Sequence, residues 1–430
     1  MRVLFLGTAG VNKKAFVENL AEIASKAQRK VKSFLNVVDL DGEISNFQNG
    51  PAGYAAFLDN PLPRERQEIW DSLFKKMVLR PFGTNPRQLP HVFLLLHGVY
   101  YRKKDYFSHV NLSLLREFQP SVVVTLIDDA YDVANEINMR EKRVATGSYC
   151  SFAEALQWRA VEIMTGDMIA NYLYLNPSEH RVDIRGLESK ARAFFRTSIP
   201  HFVVAVKHSP EMLYRLLFER RRLCIYFSHP ITTIQVDQSK VNIINKAMMT
   251  LSAKYTVFVP DTIDEFPVVK KVGLSRDEIK IIRNLRIEKG RKHFLIRRWP
   301  LRLNCKRPVA VLPPSVNLKT FLKLERIVKA HTDGRDRRII RQGLDAMVAY
   351  RPNWGGRPSH GVEAEMSEAA ARNIPIFAVH IPKEDGEPET MLRGFAAARC
   401  FASLGKLNRQ LVKLQQAKIA KMIPDTWELD

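Results

Sequence analysis

Short apolar runs alternate with segments of helical periodicity along most of the chain. The apolar runs have the length of strands and cover residues 3–6, 92–96, 122–127, 223–227, 255–259, 346–350 and 374–379. Elsewhere apolar residues recur every three or four positions, most clearly over residues 151–175 and 361–373. Apolar strands separated by helices are typical of a mostly parallel sheet whose two faces are covered. The pattern predicts an α/β protein with helices flanking its sheets.

The alternation pauses near residues 208–210 and starts again after the basic cluster at residues 220–222. A chain of 430 residues is too long for one ordinary hydrophobic core. We therefore predict two domains, residues 1–210 and residues 220–430, each built on a mostly parallel sheet.

The composition changes this picture little. Apolar residues make up 46% of the chain and charged residues 26%, as in folded globular proteins. The sequence contains no apolar run long enough to span a membrane, so we expect no membrane association. The four cysteines lack the spacing of a metal site and read as reduced thiols, which favours a cytoplasmic location. We predict neither a bound metal nor a cofactor.

Positive charge is concentrated in one part of the second half. The net charge is +22, and residues 270–307 hold 14 Lys or Arg and three acids. The segment is longer than a connection needs, so we predict a basic insertion. Such a patch attracts phosphate groups or acidic partners. Four interpretations stay open: phosphate capture, an oligomer contact, a nucleic-acid or protein partner, and a solvated face that aids solubility.

The first predicted strand leads into the glycine-containing loop GTAGVNKK and then into a helix. In this context backbone N–H groups and a lysine cradle phosphate, so the candidate nucleotide-binding residues are Gly7, Gly10, Lys13 and Lys14. The full pattern, G-x-x-x-x-G-K-S/T, is incomplete. Asn12 stands in place of the second glycine, and Lys14 replaces the hydroxyl residue that would hold magnesium.

Residues 91–101 and 119–137 accompany this loop. Together with it they resemble the adenylate kinase family of archaeal type, in which a strand ends in an Asp-Thr-His-Ala-like motif. His97 and Gly98 fit the motif, but Leu95 stands where the magnesium-binding carboxylate is expected. The resemblance implies a degenerate P-loop kinase-like domain. Three roles stay open: a working kinase, a nucleotide-sensing or scaffolding module, and a fold with an empty loop.

Three separated pieces of the second half carry polar residues beside predicted strands. They are CIYFSHPIT from residue 224, GRDRRIIRQGLDAMVAYRP from residue 334 and SHGVEAEMSEAAARNIPIFAV from residue 359. In this order and at these separations they resemble the nucleoside 2-deoxyribosyltransferase family. The resemblance implies a Rossmann-like fold and an enzyme that cleaves or exchanges an N-glycosidic bond.

The spacing of Gly361, Glu365 and Ala369 reproduces the family's Gly-x-x-x-Glu-x-x-x-Ala, and the resemblance implies that Glu365 is the nucleophile. Tyr226 would orient Glu365, and Asp336, expected at the start of a helix, would assist the departing base. Independently of any family, a carboxylate can attack the sugar carbon while a second group helps the base gain a proton. We expect Glu365 in the first turn of a helix, where the helix dipole keeps it ionised.

The remaining candidate substrate-binding residues flank these three. They are Ser228, His229, Pro230, Asp345, Arg351, Trp354, Ser359, His360 and Gly361. Arg351 would suit a phosphate and Trp354 could stack on a base, which favours a nucleotide over a free nucleoside. Ser359 takes the place of an aspartate that many family members carry.

The expected substrate is therefore a nucleotide or nucleoside, with NAD and deoxynucleotides included. Water as acceptor gives a hydrolase, and a second base gives a transferase. A damaged nucleotide-binding module fused to a nucleotide-destroying domain would suit a regulated depletion enzyme, for instance in antiviral defence. The alternative is a catalytically inactive protein that senses a nucleotide and acts through a partner. A homo-oligomer is expected by analogy with the family.

Overall fold

The structure is a computed structural model that describes most of the chain. The described residues are 1–27, 35–82, 91–144, 150–174, 199–231, 238–260, 263, 294–297, 309–312, 325–354, 359–381, 385 and 398–421. The chain divides between Val206 and Lys207 into two compact units, here called the first and the second unit, and a short segment from Val311 groups with the first. The predicted basic insertion, residues 270–307, lies outside the described residues apart from residues 294–297.

The first unit is built on a five-stranded parallel sheet. Its strands are β1 (Arg2–Leu6), β2 (Leu35–Asp39), β3 (His91–Leu95), β6 (Val122–Ile127) and β7 (His201–Ala205), in the order β2-β3-β1-β6-β7. A hairpin of β4 (Tyr100–Arg102) and β5 (Asp105–Phe107) follows β3. The predicted apolar runs of this half fall on β1, β3 and β6. Each is almost fully buried, as expected for strands covered on both faces.

Helices cover this sheet. They are α1 (Lys13–Ala27), α2 (Leu40–Phe47), α3 (Pro51–Asp59), α4 (Pro63–Phe74) with a π-helical turn (Lys75–Leu79) and α5 (Arg80–Phe82), α6 (Leu112–Phe118), α7 (Ala130–Val144) and α8 (Phe152–Tyr174). Their starts follow ordinary rules. Proline occupies the first turn of α3 and α4, and the side chains of Asp39 and Asn111 accept backbone N–H bonds at the starts of α2 and α6.

The second unit has its own five-stranded parallel sheet. The strands are β8 (Cys224–Ser228), β9 (Thr256–Phe258), β12 (Ala346–Tyr350), β13 (Ile376–Val379) and β14 (Ala398–Phe401), in the order β14-β13-β12-β8-β9. The helices are α9 (Pro210–Phe218), α10 (Gln238–Ser252), α11 (Glu325–Arg341), α12 (His360–Ala371) and α13 (Leu404–Lys421). A separate pair joins β10 (Phe294–Arg297) to β11 (Val309–Leu312). The predicted class, α/β with parallel sheets flanked by helices, is confirmed.

The strand order of the second unit creates a crevice at one edge of its sheet. The chain passes from β8 to its neighbour β9, and then returns to the other side of β8 to form β12. The order therefore reverses between β8 and β12. In doubly wound sheets, ligands bind outside the carboxyl ends of the strands at this kind of reversal.

Each unit buries an apolar cluster formed by its own residues. In the first unit the cluster includes Trp70, Phe74 and Leu115, and in the second it includes Phe227 and Leu251, all of them almost completely buried. No helix among the described residues is both long enough and apolar enough to cross a membrane.

Candidate active site

Glu365 lies in the second turn of α12, whose apolar positions Val362, Met366 and Ala369 face the core at helical spacing. The helix begins at His360, so Glu365 lies one turn later than expected. Ser359 precedes the helix in an extended conformation, and its carbonyl accepts the N–H of Glu363 at 2.9 Å. This arrangement brings the Glu365 side chain to the crevice between β8 and β12.

Two hydroxyl groups from β8 bind the Glu365 carboxyl group. The Tyr226 Oη donates to Oε1 at 2.7 Å, and the Ser228 Oγ donates to Oε2. Tyr226 and Ser228 face the same side of the strand because side chains alternate along it, and the intervening Phe227 points into the apolar core. Each carboxyl oxygen therefore has its own hydroxyl partner.

The pKa of Glu365 is raised to about 8, first by burial and then by the negative charge of Asp336. Hydrogen bonds from Ser228 and Tyr226 oppose this rise. Burial also keeps the pKa of Tyr226 well above its usual value, so that hydroxyl stays protonated. The direction of the Glu365 shift is opposite to the expectation that this residue is kept ionised, since burial and the neighbouring carboxylate both favour its protonated form.

Asp336 is held by its neighbour Arg335, a residue that the sequence analysis missed. The guanidinium Nε lies 2.9 Å from the Asp336 Oδ1, and both side chains are buried. Arg335 also donates to the carbonyl oxygens of Ile263 at 2.7 Å and Pro260 at 3.0 Å. It thereby ties α11 to the segment after β9. Asp336 lies in the last third of α11, and the expected position at a helix start is corrected.

His229 and Pro230 follow β8 directly and are buried. The His229 ring packs 5.6 Å from the Phe227 ring, and burial lowers the pKa of His229 to about 3. This histidine is therefore neutral at physiological pH. It lies beside an apolar ring and is not exposed at a pocket rim.

Arg351 and Trp354 do not have the arrangement predicted for phosphate and base binding. Arg351 is 1% exposed, and its Nε lies 2.8 Å from the Asp385 Oδ1. Its guanidinium lies 3.8 Å from the centre of the Trp354 ring, and Trp354 belongs to the apolar core. The prediction is corrected: the cation is paired inside the protein and the indole is buried.

Asp345 is also placed away from the crevice. It precedes β12, at the amino end of the strand, whereas Glu365 follows the carboxyl end. Its Oδ2 accepts the N–H of Cys224 at 2.8 Å and the ammonium of Lys418 at 2.7 Å. The predicted role in substrate binding is corrected to one in joining β8, β12 and α13.

The start of α12 is more open. The His360 side chain is 96% exposed and lies 3.6 Å from the Glu363 carboxylate, and Gly361 is exposed as well. Ser359 is partly buried and its side chain makes no capping bond. The structure therefore places these three residues at the amino end of α12, one to two turns before Glu365.

The predicted phosphate loop of the first unit has internal partners. The Lys13 ammonium is buried and donates to the carbonyl oxygens of Gly7 at 2.7 Å and Leu96 at 3.2 Å. Lys14 is exposed on α1, and Gly10 adopts a positive φ of 87°. The structure therefore uses Lys13 to brace the loop against the end of β3.

One group of carboxylates in the described part of the chain has the closeness of a cation site. Ligand oxygens of Asp128, Asp129 and Asp132, which follow β6, lie within 4.8 Å of one another. Closeness alone does not make a metal site, since acidic groups often cluster without an ion.

No protein-family model matches this chain, and no curated protein matches it.

Proposed function

We propose that the second unit cleaves or exchanges the N-glycosidic bond of a nucleoside or nucleotide, and that Glu365 is its central catalytic group. The observation that carries the proposal is the carboxyl group of Glu365, which is bound by a hydroxyl at each oxygen and lies where the strand order reverses. A carboxyl group fixed in this way suits chemistry at a carbon that develops positive charge.

In the proposed reaction a Glu365 oxygen attacks the sugar carbon that carries the base. The carbon–nitrogen bond breaks, its electron pair leaves with the base, and the base takes up a proton from solvent. Water or a second base then attacks the same carbon, gives up a proton to solvent and releases the Glu365 carboxylate. Tyr226 and Ser228 hold the carboxylate so that it meets the sugar in one orientation.

Asp336 takes an electrostatic role in this proposal. Its ion pair with Arg335 stabilises a carboxylate and not a carboxylic acid, so Asp336 is poorly suited to give a proton to the base. Its charge instead helps to keep a proton on Glu365 in the free protein. Positive charge on the reacting sugar offsets this repulsion, which favours the transition state over the resting state.

The raised pKa of Glu365 favours a second assignment of roles within the same reaction. A carboxyl group that holds its proton at neutral pH can act as the general acid that protonates the departing base. The two assignments predict opposite pH dependence. As nucleophile, Glu365 gives a kcat/KM that rises through about pH 8, whereas as general acid it gives one that falls there.

The proposal is tested by incubating the purified protein with nucleosides, their mono- and triphosphates, and NAD, and following free base by chromatography between pH 5 and 9. We expect base release by the wild type and a loss on the order of 10³-fold or more for Glu365→Ala. Glu363→Ala, which removes a more exposed glutamate of the same helix, is the matched control and should retain activity.

A mass increase on the Glu365 peptide after rapid quenching would identify the nucleophile. The panel also compares nucleosides with nucleotides, and so shows whether a phosphate group on the substrate increases the rate of base release. This comparison is needed because Arg351 and Trp354, which were predicted to bind the phosphate and the base, are engaged inside the protein. Base release that is unchanged in Glu365→Ala, or absent from the wild type with every substrate, would refute the proposal.

A further inference from the structure

Helix α8 of the first unit carries a carboxylate into the interior. Glu162 is 1% exposed and belongs to a helix that is otherwise rich in apolar residues. Burying a carboxylate costs several kcal/mol unless hydrogen bonds or charges compensate. The partners of Glu162 therefore show what kind of site surrounds it.

Three backbone N–H groups converge on this carboxylate. The Oε1 accepts from Gly7 at 2.9 Å and from Gly98 at 2.7 Å, and the Oε2 accepts from Val99 at 2.8 Å. Gly7 follows β1 and the other two residues follow its neighbour β3, so the amides come from two loops at the carboxyl edge of the sheet. Backbone amides that point at one centre are a common way for proteins to bind phosphate and other oxyanions.

A buried cation lies near these amides. The Lys13 ammonium donates to the carbonyl of Gly7, whose own N–H binds Glu162, and it lies 3.9 Å from the Asp41 carboxylate, which partly neutralises it. Glycine at position 98 also matters for the fit, since a Cβ there would lie only 3.3 Å from the Glu162 Oε1. Three converging amides, a close backbone approach and a nearby lysine are the features that anion sites in proteins share.

We propose that the amides of Gly7, Gly98 and Val99 form a phosphate-type anion site that the chain fills with its own Glu162. While the Glu162 carboxylate occupies these three amides, they bind no phosphate from solution. Removing the carboxylate frees these three amides, and a phosphate oxygen can then accept the hydrogen bonds that Glu162 accepts in the wild type. The inference concerns the first unit and is independent of the glycosidic chemistry.

The test uses the full chain labelled with ¹⁵N at its 20 glycines, with inorganic phosphate as the probe. In Glu162→Ala, phosphate is expected to shift the amide signals of Gly7 and Gly98 saturably and to raise the midpoint of thermal unfolding. The wild type is expected to show neither effect. Glu136→Ala, which removes an exposed carboxylate of α7, is the control for a change in net charge and should behave like the wild type.

Glu162→Gln keeps the shape of the side chain, so the site stays filled and no phosphate response is expected. If Glu162→Ala is unstable in buffer, recovery of the folded state by phosphate or formate supports the proposal. A folded Glu162→Ala with unresponsive Gly7 and Gly98 amides would overturn it. So would an equal response in the wild type, or a Glu162→Ala that stays unfolded in phosphate and formate while Glu162→Gln folds.

Discussion

The Glu365 carboxyl group is held where its charged form is disfavoured, and this has a consequence for stability. Its pKa rises from the usual 4.5 to about 8 in the folded protein. The folded state therefore binds the proton more tightly than the unfolded chain. The stability that comes with this proton is complete below about pH 4.5 and is lost as the pH rises through about 8.

Glu365→Gln should therefore be more stable than the wild type at high pH and nearly equal to it at low pH. The amide resembles the protonated carboxyl group in shape and cannot ionise, so the difference between the two proteins grows between pH 5 and 9. Thermal unfolding of both proteins across this range measures it. A difference that does not change with pH would show that the proton on Glu365 is not held as the geometry implies.

Glu368, on the same helix as Glu365, provides a control because its pKa is shifted in the opposite direction. A hydrogen bond from the Arg341 Nε at 2.8 Å lowers the pKa of Glu368. Its contribution to stability is therefore present above its usual pKa and is lost as the pH falls. Glu368→Gln should be less stable than the wild type at neutral pH, and the two curves should converge in acid.

At the scale of single residues, the sequence was enough to identify groups that have a chemical role in a known pattern. It did not reveal the buried residues that hold such groups in place. It placed Tyr226 beside Glu365, and the structure brings these side chains together. Arg335 and Glu162 were missed because their long-range hydrogen bonds to backbone groups leave no periodic signal in the sequence. Glu162 did carry one local sign, which is an acid in the middle of an apolar helical stretch.

At the scale of elements, the apolar runs located most strands of the two sheets, but none of them falls on β2 or β14. The runs at 122–127 and 346–350 coincide with β6 and β12, and the predicted helix at 361–373 differs from α12 by two residues or fewer at each end. Strand order was not predictable, because it depends on which helices cover which face. Helix starts were less accurate: a start was predicted at Asp336, whereas α11 begins at Glu325.

The turn after β12 shows how tertiary contacts fix the end of a strand. Arg351 adopts a positive φ of 50°, an unfavourable conformation for a residue with a side chain. Its buried ion pair with Asp385, and its contact with the Trp354 ring, hold it there. The pair joins the carboxyl end of β12 to a residue that follows β13.

Removing the Asp385 carboxylate should therefore destabilise the second unit strongly. Asp385→Ala leaves the buried guanidinium without this counterion and takes an acceptor from the Ile381 N–H, so we expect a loss of about 3–5 kcal/mol in the free energy of unfolding. Denaturant unfolding measures it. Replacing both charges, as in Arg351→Met with Asp385→Leu, should recover much of the loss.

The matched comparison is the surface pair of His360 and Glu363, where Glu363→Ala should cost only about 0–1 kcal/mol. If Asp385→Ala costs no more than Glu363→Ala, the ion pair does not hold the turn.

At the scale of the whole molecule, the most informative feature is that each unit has its own apolar cluster. The described residues of each cluster come from one side of the division between Val206 and Lys207. A hydrophobic core is the cooperative element of a domain, so separate cores predict separate unfolding. The chain should then show two thermal transitions, of which only one removes the Glu365 site.

Matched core truncations assign these transitions. Leu115→Ala lies in the first-unit core and Leu251→Ala in the second, and both side chains are fully buried. Each should cost about 2–5 kcal/mol and lower the midpoint of its own transition in scanning calorimetry. Base release measured during heating should be lost earlier in Leu251→Ala and at an unchanged temperature in Leu115→Ala. A single transition whose midpoint is lowered by either truncation would show that the two cores unfold as one cooperative body. In that case unfolding of the first unit also inactivates the second, and Leu115→Ala loses base release as early as Leu251→Ala does.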